Sequence, residues 1–201
     1  HGLMEARPVE RVQRLWTEEP MTLAAAEKTI TMPVSKPCFG IGFKEQPLQH
    51  DDLRSEILYD LILCCISGGM SRLYRKLYDE GLTNPGFGGE VLRVDGCCCI
   101  LFTGESDVPD TVKQLLLEEI RRIRAEGVDR AIVEDSASQM ADFALSGQTV
   151  AQQIATLAAL TAEDADAALQ KILSEERMAV MYIQPDGTAG EEPDDEEEME
   201  E

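Results

Sequence analysis

One short segment constrains the fold of this chain more than any other. It reads SGGMSRLYRKLYDEGLTNPGFGGE and runs from Ser67 to Glu90. The Gly-Gly pair near its start ends a helix, because glycine is unfavourable inside helices and common just after them. Ser71 can cap a second, short helix, and Gly81 ends it. With the extended run FGGEVLRV that follows, the segment predicts helix, turn, helix and strand.

The residues around this segment alternate between strand and helix patterns. Strands are predicted at TITMPV (29–34), at CFGIGFK (38–44), on either side of an Asp95-Gly96 hairpin turn, and at RMAVMYIQPDG (177–187). Helices are predicted before Ser67, within 108–128 and through most of 129–174. The order β-β-α-α-β-β-α-α-α-α-β indicates the α+β class, with a largely antiparallel sheet of about five strands and helices packed on one face.

The predicted strand CFGIGFK has two unlike faces. Phe39, Ile41 and Phe43 lie on one side, because successive side chains of a strand point to opposite faces. Gly40 and Gly42 lie on the other side together with a cysteine. Glycines along one face allow another backbone to approach closely.

Net charge restricts the kinds of partner. The chain of 201 residues carries a formal net charge of −21, and nine of its acids lie in residues 191–201 without a base. The remainder is still acidic, which argues against nucleic acid or an anionic membrane as a partner, because phosphates bind basic patches. No apolar run approaches the roughly 18–20 residues of a membrane-spanning helix.

The spacing of the cysteines indicates the cellular compartment and argues against disulfide and zinc-site chemistry. The six cysteines occur as CC, CCC and one single residue. This adjacency is unlike a disulfide framework or a CxxC zinc site, so we expect small buried hydrophobic residues. Free cysteines in this number indicate a reducing cytoplasm. A cysteine-based redox role is the alternative.

Three regions are expected along the chain. Residues 1–20 form a lead-in or linker segment in which Trp16 is the large apolar anchor, and residues 21–187 form one domain. Residues 188–201 form an acidic tail that is predicted to be disordered, because it has almost no apolar surface to bury. The tail is expected to be solvated. The alternatives are that it borders a binding site or that it binds a basic partner.

Three stretches resemble one half-domain of the insulinase-like (pitrilysin) zinc peptidases, the inverted zincins, a family that includes mitochondrial processing peptidase. The stretches are EKTITMPVSKPCFGIGFK, SEILYDLILCCISGGMSRLYRKLYDEGLTNPGFGGEV and LTAEDADAALQKILSEERMAVMYIQPDG. They are similar to the opening strands of the family's C-terminal domain, to its long helix, Gly/Ser break, short helix and returning strand, and to its closing helix and strand. The resemblance spans roughly residues 8–187.

The zinc signature of that family is missing from this chain. The signature is H-x-x-E-H on a helix with a second Glu downstream, and the two His and the second Glu hold zinc. The two histidines here are His1 and His50, and neither has that context. The helix that corresponds to the zinc helix reads ILYDL at 57–61, without a ligand pair. The resemblance therefore implies a non-catalytic half without metal ligands, and zinc in the N-terminal half of the parent protein.

The resemblance also implies where substrate is held. In members with two halves, the C-terminal half contributes two substrate-holding residues to the zinc site. One is an Arg just after a Leu of the short helix, and the other is a Tyr just beyond the next Gly-Leu. Placing Leu77 and Gly81-Leu82 on that pattern puts Tyr78 at the Arg position and Asn84 at the Tyr position. Tyr78 offers a hydroxyl instead of a fixed positive charge, and Asn84 offers an amide instead of a phenol.

Three further residues are candidates for substrate binding. Gly68, Gly69 and Ser71 precede a helix start, where backbone N–H groups point outward. The structural alternative is a helix-to-helix turn that needs positive φ.

Two functions follow from the resemblance. In the favoured one, the chain is the non-catalytic C-terminal half of a cytoplasmic insulinase-like zinc peptidase. It encloses and positions a peptide substrate for a zinc site in the N-terminal half, including by offering a sheet edge for strand addition. In the other, it is an inactive binding or scaffold subunit that pairs with a homologous peptidase-like chain. The expected partners are a homologous half or subunit and a peptide substrate, with no nucleic acid and no membrane.

Overall fold

A computed structural model describes residues 19–48, 53–94, 96–144 and 150–188. The predictions for Trp16, for His50 and for the residues that follow Thr188 lie outside the described residues, as does Asp95 of the predicted hairpin turn.

The described residues form strands and helices in the predicted order, which confirms the α+β class. The strands are β1 (Glu27–Met32), β2 (Cys38–Glu45), β3 (Gly88–Val94), β4 (Cys97–Glu105) and β5 (Met178–Pro185). The helices are α1 (Leu53–Ser67), α2 (Arg72–Asp79), α3 (Pro109–Glu126), α4 (Arg130–Ala144), α5 (Val150–Ala159) and α6 (Ala162–Leu169), and a 3-10 turn at Glu175–Arg177 precedes β5.

The five strands form one sheet in the order β1-β5-β2-β4-β3. β2 runs antiparallel to β4 and β5, and β3 runs antiparallel to β4, so the sheet is largely antiparallel as predicted. The exception is the parallel pair of β1 and β5. β1 begins and ends two residues before the predicted strand 29–34, and it stops just before Pro33, because proline has no N–H to continue the ladder.

The core lies between one face of the sheet and the helices. Phe39, Ile41 and Phe43 of β2 are at most 3% exposed. The ring of Phe43 meets the ring of Phe102 edge-on, with centroids 6.1 Å apart. The predicted apolar side of CFGIGFK is therefore the side that packs beneath the helices.

Helix α1 is buried more completely than a single apolar stripe predicts. It contacts β3 on one side and α4, α5 and α6 on others. The apolar residues Leu53, Ile57, Leu58, Leu61, Ile62 and Cys65 have the spacing of a single helical stripe. Leu63, Ile66 and Ser67 are buried in addition to residues of this stripe. By length and composition alone the stretch Leu53–Asp79 is apolar enough to cross a membrane, but half of its most apolar window is buried inside this fold. Its composition is that of a central core helix.

The predicted cap and end of α2 are confirmed, and α6 also begins with a side-chain cap. The hydroxyl of Ser71 accepts a hydrogen bond from the backbone N–H of Tyr74 at 3.1 Å, which caps α2. Thr161 and Asp164 form a reciprocal capping box at the start of α6. Gly81 follows α2 with φ of 65°, a conformation that costs glycine little.

A buried carboxylate joins the end of β2 to the connection before β5. Glu45 is 3% exposed. Its side chain accepts hydrogen bonds from the Leu173 N–H at 2.6 Å and from the Arg177 guanidinium at 2.8 Å. Desolvation raises the pKa of Glu45, while Leu173 and Arg177 act in the opposite direction. No sequence motif predicted this pairing, which spans 128 residues between Glu45 and Leu173.

Candidate functional site

Within the described residues, one face of the sheet carries no helix. We call it the open face, and strand pairing places on it side chains from all five strands: Ile30, Met32, Cys38, Gly40, Gly42, Lys44, Leu92, Val94, Cys99, Leu101, Thr103 and Met181. Four large apolar side chains of this face, Met32, Leu92, Val94 and Met181, are 43–68% exposed. Met32 and Met181 lie toward the β1 side of the sheet, and Leu92 and Val94 lie on β3 at its other edge, so exposed apolar side chains are spread across this face.

The open face is also concave. A cavity of about 670 Å³ lies over its centre and is lined by Gly40, Gly42, Leu101 and Met181, among others. This volume lies within the roughly 300–1,000 Å³ of sites that bind small ligands or peptide side chains. At one end the cavity reaches the connection between α2 and β3, where Asn84 lines it.

The two glycines of β2 on the open face differ: a Cβ on Gly42 would lie 3.2 Å from Cys99 Sγ, a tight contact, whereas Gly40 is not required by the packing of the described residues. A Cβ on Gly40 would contact the nearest atom, Leu101 Cδ1, at an ordinary 3.6 Å. In contrast, a Cβ on Gly89, which faces the helices, would lie 2.8–2.9 Å from Ser67 Oγ, Leu63 Cδ2 and Phe102 Cε1. Packing against the helices explains the glycine at Gly89, whereas the space at Gly40 is not filled by the described residues.

Asn84 is held within its own chain. Its Nδ2 donates a hydrogen bond to Glu105 Oε2 at 2.7 Å, and its Oδ1 accepts one from the Gly86 N–H at 3.0 Å. Across the ladder, Glu105 is paired with Cys38. Burial and the charge of Glu105 raise the pKa of the Cys38 thiol. Sequence reasoning missed Glu105, because nothing at the end of β4 signals that it meets a side chain 21 residues earlier.

Tyr78 points outward from α2. Its ring is 55% exposed and stacks on the ring of Tyr74, with centroids 6.3 Å apart and an interplanar angle of 6°. The Tyr74 hydroxyl donates to the Pro85 carbonyl at 3.4 Å. Tyr74 therefore anchors the pair, and Tyr78 presents a ring and a hydroxyl to solvent.

Gly68, Gly69 and Ser71 lie at the turn between α1 and α2. Neither Gly68 nor Gly69 has positive φ, so the alternative of a turn that needs positive φ is wrong. A Cβ on Gly68 would lie 2.5 Å from the Cys64 carbonyl oxygen, which explains the glycine by close contact, while nothing lies within 4 Å at Gly69. Ser71 is fully buried and serves as the helix cap.

The five predicted substrate residues are therefore not gathered in one place. Asn84 borders the cavity of the open face, whereas Gly68 borders a separate hollow of about 390 Å³ between the end of α1 and β3. Tyr78 lies outward on α2. Within the four described ranges, no three His, Cys, Asp or Glu side chains are grouped so that they could hold a metal ion.

Comparison with known proteins identifies relatives of this arrangement. The sequence profile described as "Peptidase M16 inactive domain" matches residues 13–140. No curated protein sequence matches the chain. The structure of a putative M16-like peptidase from Alicyclobacillus acidocaldarius is 25% identical with a TM-score of 0.78, over 86% of this chain and 46% of that one.

Two further structures share the fold. The peptidase M16 inactive domain from Pseudomonas fluorescens is 16% identical with a TM-score of 0.66, over 84% of this chain and 45% of that one. The ferredoxin protease FusC in complex with Arabidopsis ferredoxin is 12% identical with a TM-score of 0.62, over 88% of this chain and 24% of that one. This chain thus spans less than half the length of each of these proteins.

Proposed function

This chain belongs to the peptidase M16 family as one of its inactive domains, and from that premise we propose that it encloses and positions peptide substrate for a catalytic half. In this proposal the zinc site lies on an H-x-x-E-H helix of the N-terminal half, and the assembled protein works in the cytoplasm. The chain described here contributes a surface and no zinc ligand.

The observation that carries the proposal is the open face. Its exposed apolar side chains remain uncovered by the described residues, and Gly40 is not required by the packing around it. Both features suit a surface that another polypeptide covers. The chain matches 46% of the A. acidocaldarius protein, which leaves room for a second half of similar size to cover the face.

Peptide is proposed to enter beside the open face along β3. β3 is an edge strand, so its outer backbone groups can pair with an added strand. It begins at Gly88, a few residues after Asn84 and Gly86, which line the cavity. A peptide that extends β3 would therefore run past the cavity, where its side chains can be held.

Coexpression with the polypeptide encoded upstream of residue 1 tests the proposal. The expected result is a one-to-one complex that cleaves peptides and loses activity with a chelator, while neither part cleaves alone. Chelator-sensitive cleavage by this chain alone would overturn the proposal. An upstream polypeptide that carries H-x-x-E-H and cleaves fully without this chain would do the same.

Variants of the open face make the test specific. Gly40→Val adds bulk at the centre of the face, and Met181→Glu adds charge to its apolar part. Each is expected to reduce complex formation at least about tenfold, which corresponds to roughly 1.4 kcal/mol of binding free energy. Gln114→Ala, on the exposed side of α3, is the matched control. Melting temperatures of the isolated variants verify that each one folds.

One observation favours the alternative of an inactive scaffold that pairs with a homologous peptidase-like chain. Both polar atoms of the Asn84 side chain are used within the chain, and Tyr78 supplies no fixed charge. The scaffold function predicts that the complex forms, that the open-face variants weaken it, and that the partner half has no H-x-x-E-H and cleaves nothing. The same coexpression therefore separates the two functions.

A further inference from the structure

Unpaired cations collect on one side of α2, although the chain carries a net charge of −21. Arg72, Arg75 and Lys76 are all exposed, and their spacing places them on one face of the helix. None of the three lies within 4.0 Å of a carboxylate in the described part of the chain. Eight other bases are ion-paired: Lys44, Arg54, Arg93, Lys113, Arg121, Arg122, Arg130 and Arg177. Lys28, Lys36 and Lys171 also lack an ion pair among the described residues, but each lies in a different segment of the chain.

A hollow lined by both charged and apolar side chains lies beside these cations, and Arg72 and Arg75 form part of its wall. Its volume is about 330 Å³, and its lining includes Cys65, Met70, Ile123 and Ile132. Met70 is 59% exposed at its entrance. We call the hollow and the three neighbouring cations the α2 basic surface.

The acids that line the hollow are already engaged. Glu119 accepts two hydrogen bonds from Arg122, at 2.8 and 3.0 Å. Asp129 accepts one from the Ala131 N–H at 2.9 Å, at the start of α4. Arg122 is further held by Glu126 at 2.7 Å. The charge left without a partner at this surface therefore belongs to the α2 cations.

We propose that the α2 basic surface binds the acidic C-terminal segment of the same chain, residues 191–201. That segment, EEPDDEEEMEE, combines nine carboxylates with a single methionine. The carboxylates complement the three cations, and the flexible apolar side chain of Met199 can contact the apolar residues of the lining, such as Met70. Elsewhere the segment meets a chain in which acids outnumber bases.

The segment is long enough to reach this surface. β5 passes the start of α3, where the Tyr182 hydroxyl donates to Asp110 Oδ1 at 2.6 Å, and it ends three residues later at Pro185. The hollow is bordered by Arg122, twelve residues further along α3, or about 18 Å at the rise of a helix. The end of β5 adds roughly 10 Å to this path, at the rise of a strand. Residues 189–201 span up to about 43 Å when extended, which exceeds the sum.

Binding of the segment would make the α2 basic surface unavailable to acidic segments of other proteins. This inference needs neither a catalytic half nor a peptide substrate, so it stands or falls separately from the proposed function.

Limited proteolysis of the full-length chain tests the proposal. A Glu-specific protease cleaves within 191–201 only when the segment is released, so the cleavage rate follows the released fraction. Arg72→Gln with Arg75→Gln should raise that rate about tenfold, the effect of losing two exposed ion pairs of roughly 0.7 kcal/mol each. Lys36→Gln with Lys171→Gln removes the same charge elsewhere and should leave the rate within about twofold.

Cross-linking identifies the occupant directly. A carbodiimide joins amines to carboxylates that are in contact, so full-length protein should give a link between Lys76 and residues 191–201 that salt suppresses. An equal mixture of ¹⁴N- and ¹⁵N-labelled chains should give links within one chain. Mixed links would overturn the intrachain proposal in favour of a second copy. Equal proteolysis of both double variants and wild type would overturn binding at this surface altogether.

Discussion

The two faces of β2 are built from neighbouring residues and yet have different relations to the rest of the chain. Phe43 and Glu45 point beneath the helices and are almost fully buried, with packing or hydrogen-bond partners. Gly42 and Lys44 point to the open face. The chain's own helices therefore cover one face of the sheet, whereas the described residues leave the apolar side chains of the other face exposed.

The largest expected difference between the faces is in apolar packing. Phe43→Ala should lower the free energy of unfolding by about 3–5 kcal/mol, because it removes a fully buried ring and leaves a cavity. Met181→Ala on the open face should change it by less than about 1 kcal/mol. Urea denaturation of the isolated chain measures both, and similar losses would contradict the distinction between the faces.

A second difference concerns the charged residues at the end of β2. Glu45→Ala should cost about 2–3 kcal/mol, because the Leu173 N–H and Arg177 lose a buried partner. Lys44→Ala should cost less than about 1 kcal/mol, because its pair with Glu19, 3.4 Å away, is a surface pair. If denaturation shows a small loss for Glu45→Ala, the buried pairing does not stabilise the fold.

A third difference concerns two glycines. Gly89→Ala should destabilise the chain by about 1–3 kcal/mol, because the added methyl group overlaps Ser67, Leu63 and Phe102. Gly40→Ala should be neutral or stabilising by up to about 1 kcal/mol, because the space is free and glycine is unfavourable in strands. Thermal melts of the two variants compare them, and a reversed order would refute this account of the glycines.

Because Glu45 is buried, the free energy of unfolding should depend on pH. Burial raises the pKa of Glu45 above its ordinary value of 4.5, so the folded chain holds this proton more tightly than the unfolded chain. The stability from the protonated form is therefore present below the ordinary pKa and is lost as pH rises through the raised one. The difference in unfolding free energy between wild type and Glu45→Gln should fall with rising pH. If the difference in unfolding free energy between wild type and Glu45→Gln stays constant as pH rises from below 4.5, the pKa of Glu45 is not raised.

The smallest expected effect concerns thiol reactivity and leaves stability unchanged. Cys98 points beneath the helices and is fully buried, and burial raises its pKa to about 11. Cys97, its neighbour, faces the open side and is partly exposed. Peptide mapping after brief alkylation should show Cys97 modified at least about tenfold faster than Cys98. Equal rates would show that the two faces are equally accessible, and a readily oxidised Cys98 would revive the redox alternative.

Local features of the fold could be predicted because short-range physics controls them. The cap at Ser71, the glycine in left-handed conformation at Gly81 and the alternation along β2 each depend on a few neighbouring residues. The burial of α1 on several sides could not be read from its stripe, because it depends on where α4, α5 and α6 pack.

The candidate site was less predictable than the fold. The resemblance placed Asn84 among the candidates, but its hydrogen bond to Glu105 joins the ends of two distant segments, so no local pattern reveals that its amide is already used. The positive φ expected for Gly68 was wrong, because close contact with Cys64 explains that glycine instead.

By itself, the sequence determined the succession of strands and helices, the two unlike sides of β2 and the family to which the chain belongs. The strands, the helices and the two sides of β2 follow from periodicity, caps and turn residues, which act over a few positions. The family follows from the resemblance of three stretches of the sequence to its C-terminal domain. Only the folded structure shows that Glu45 meets Arg177 and that cations lie beside the hollow next to α2. Such contacts join residues far apart in sequence, so they exist only once the whole chain is packed.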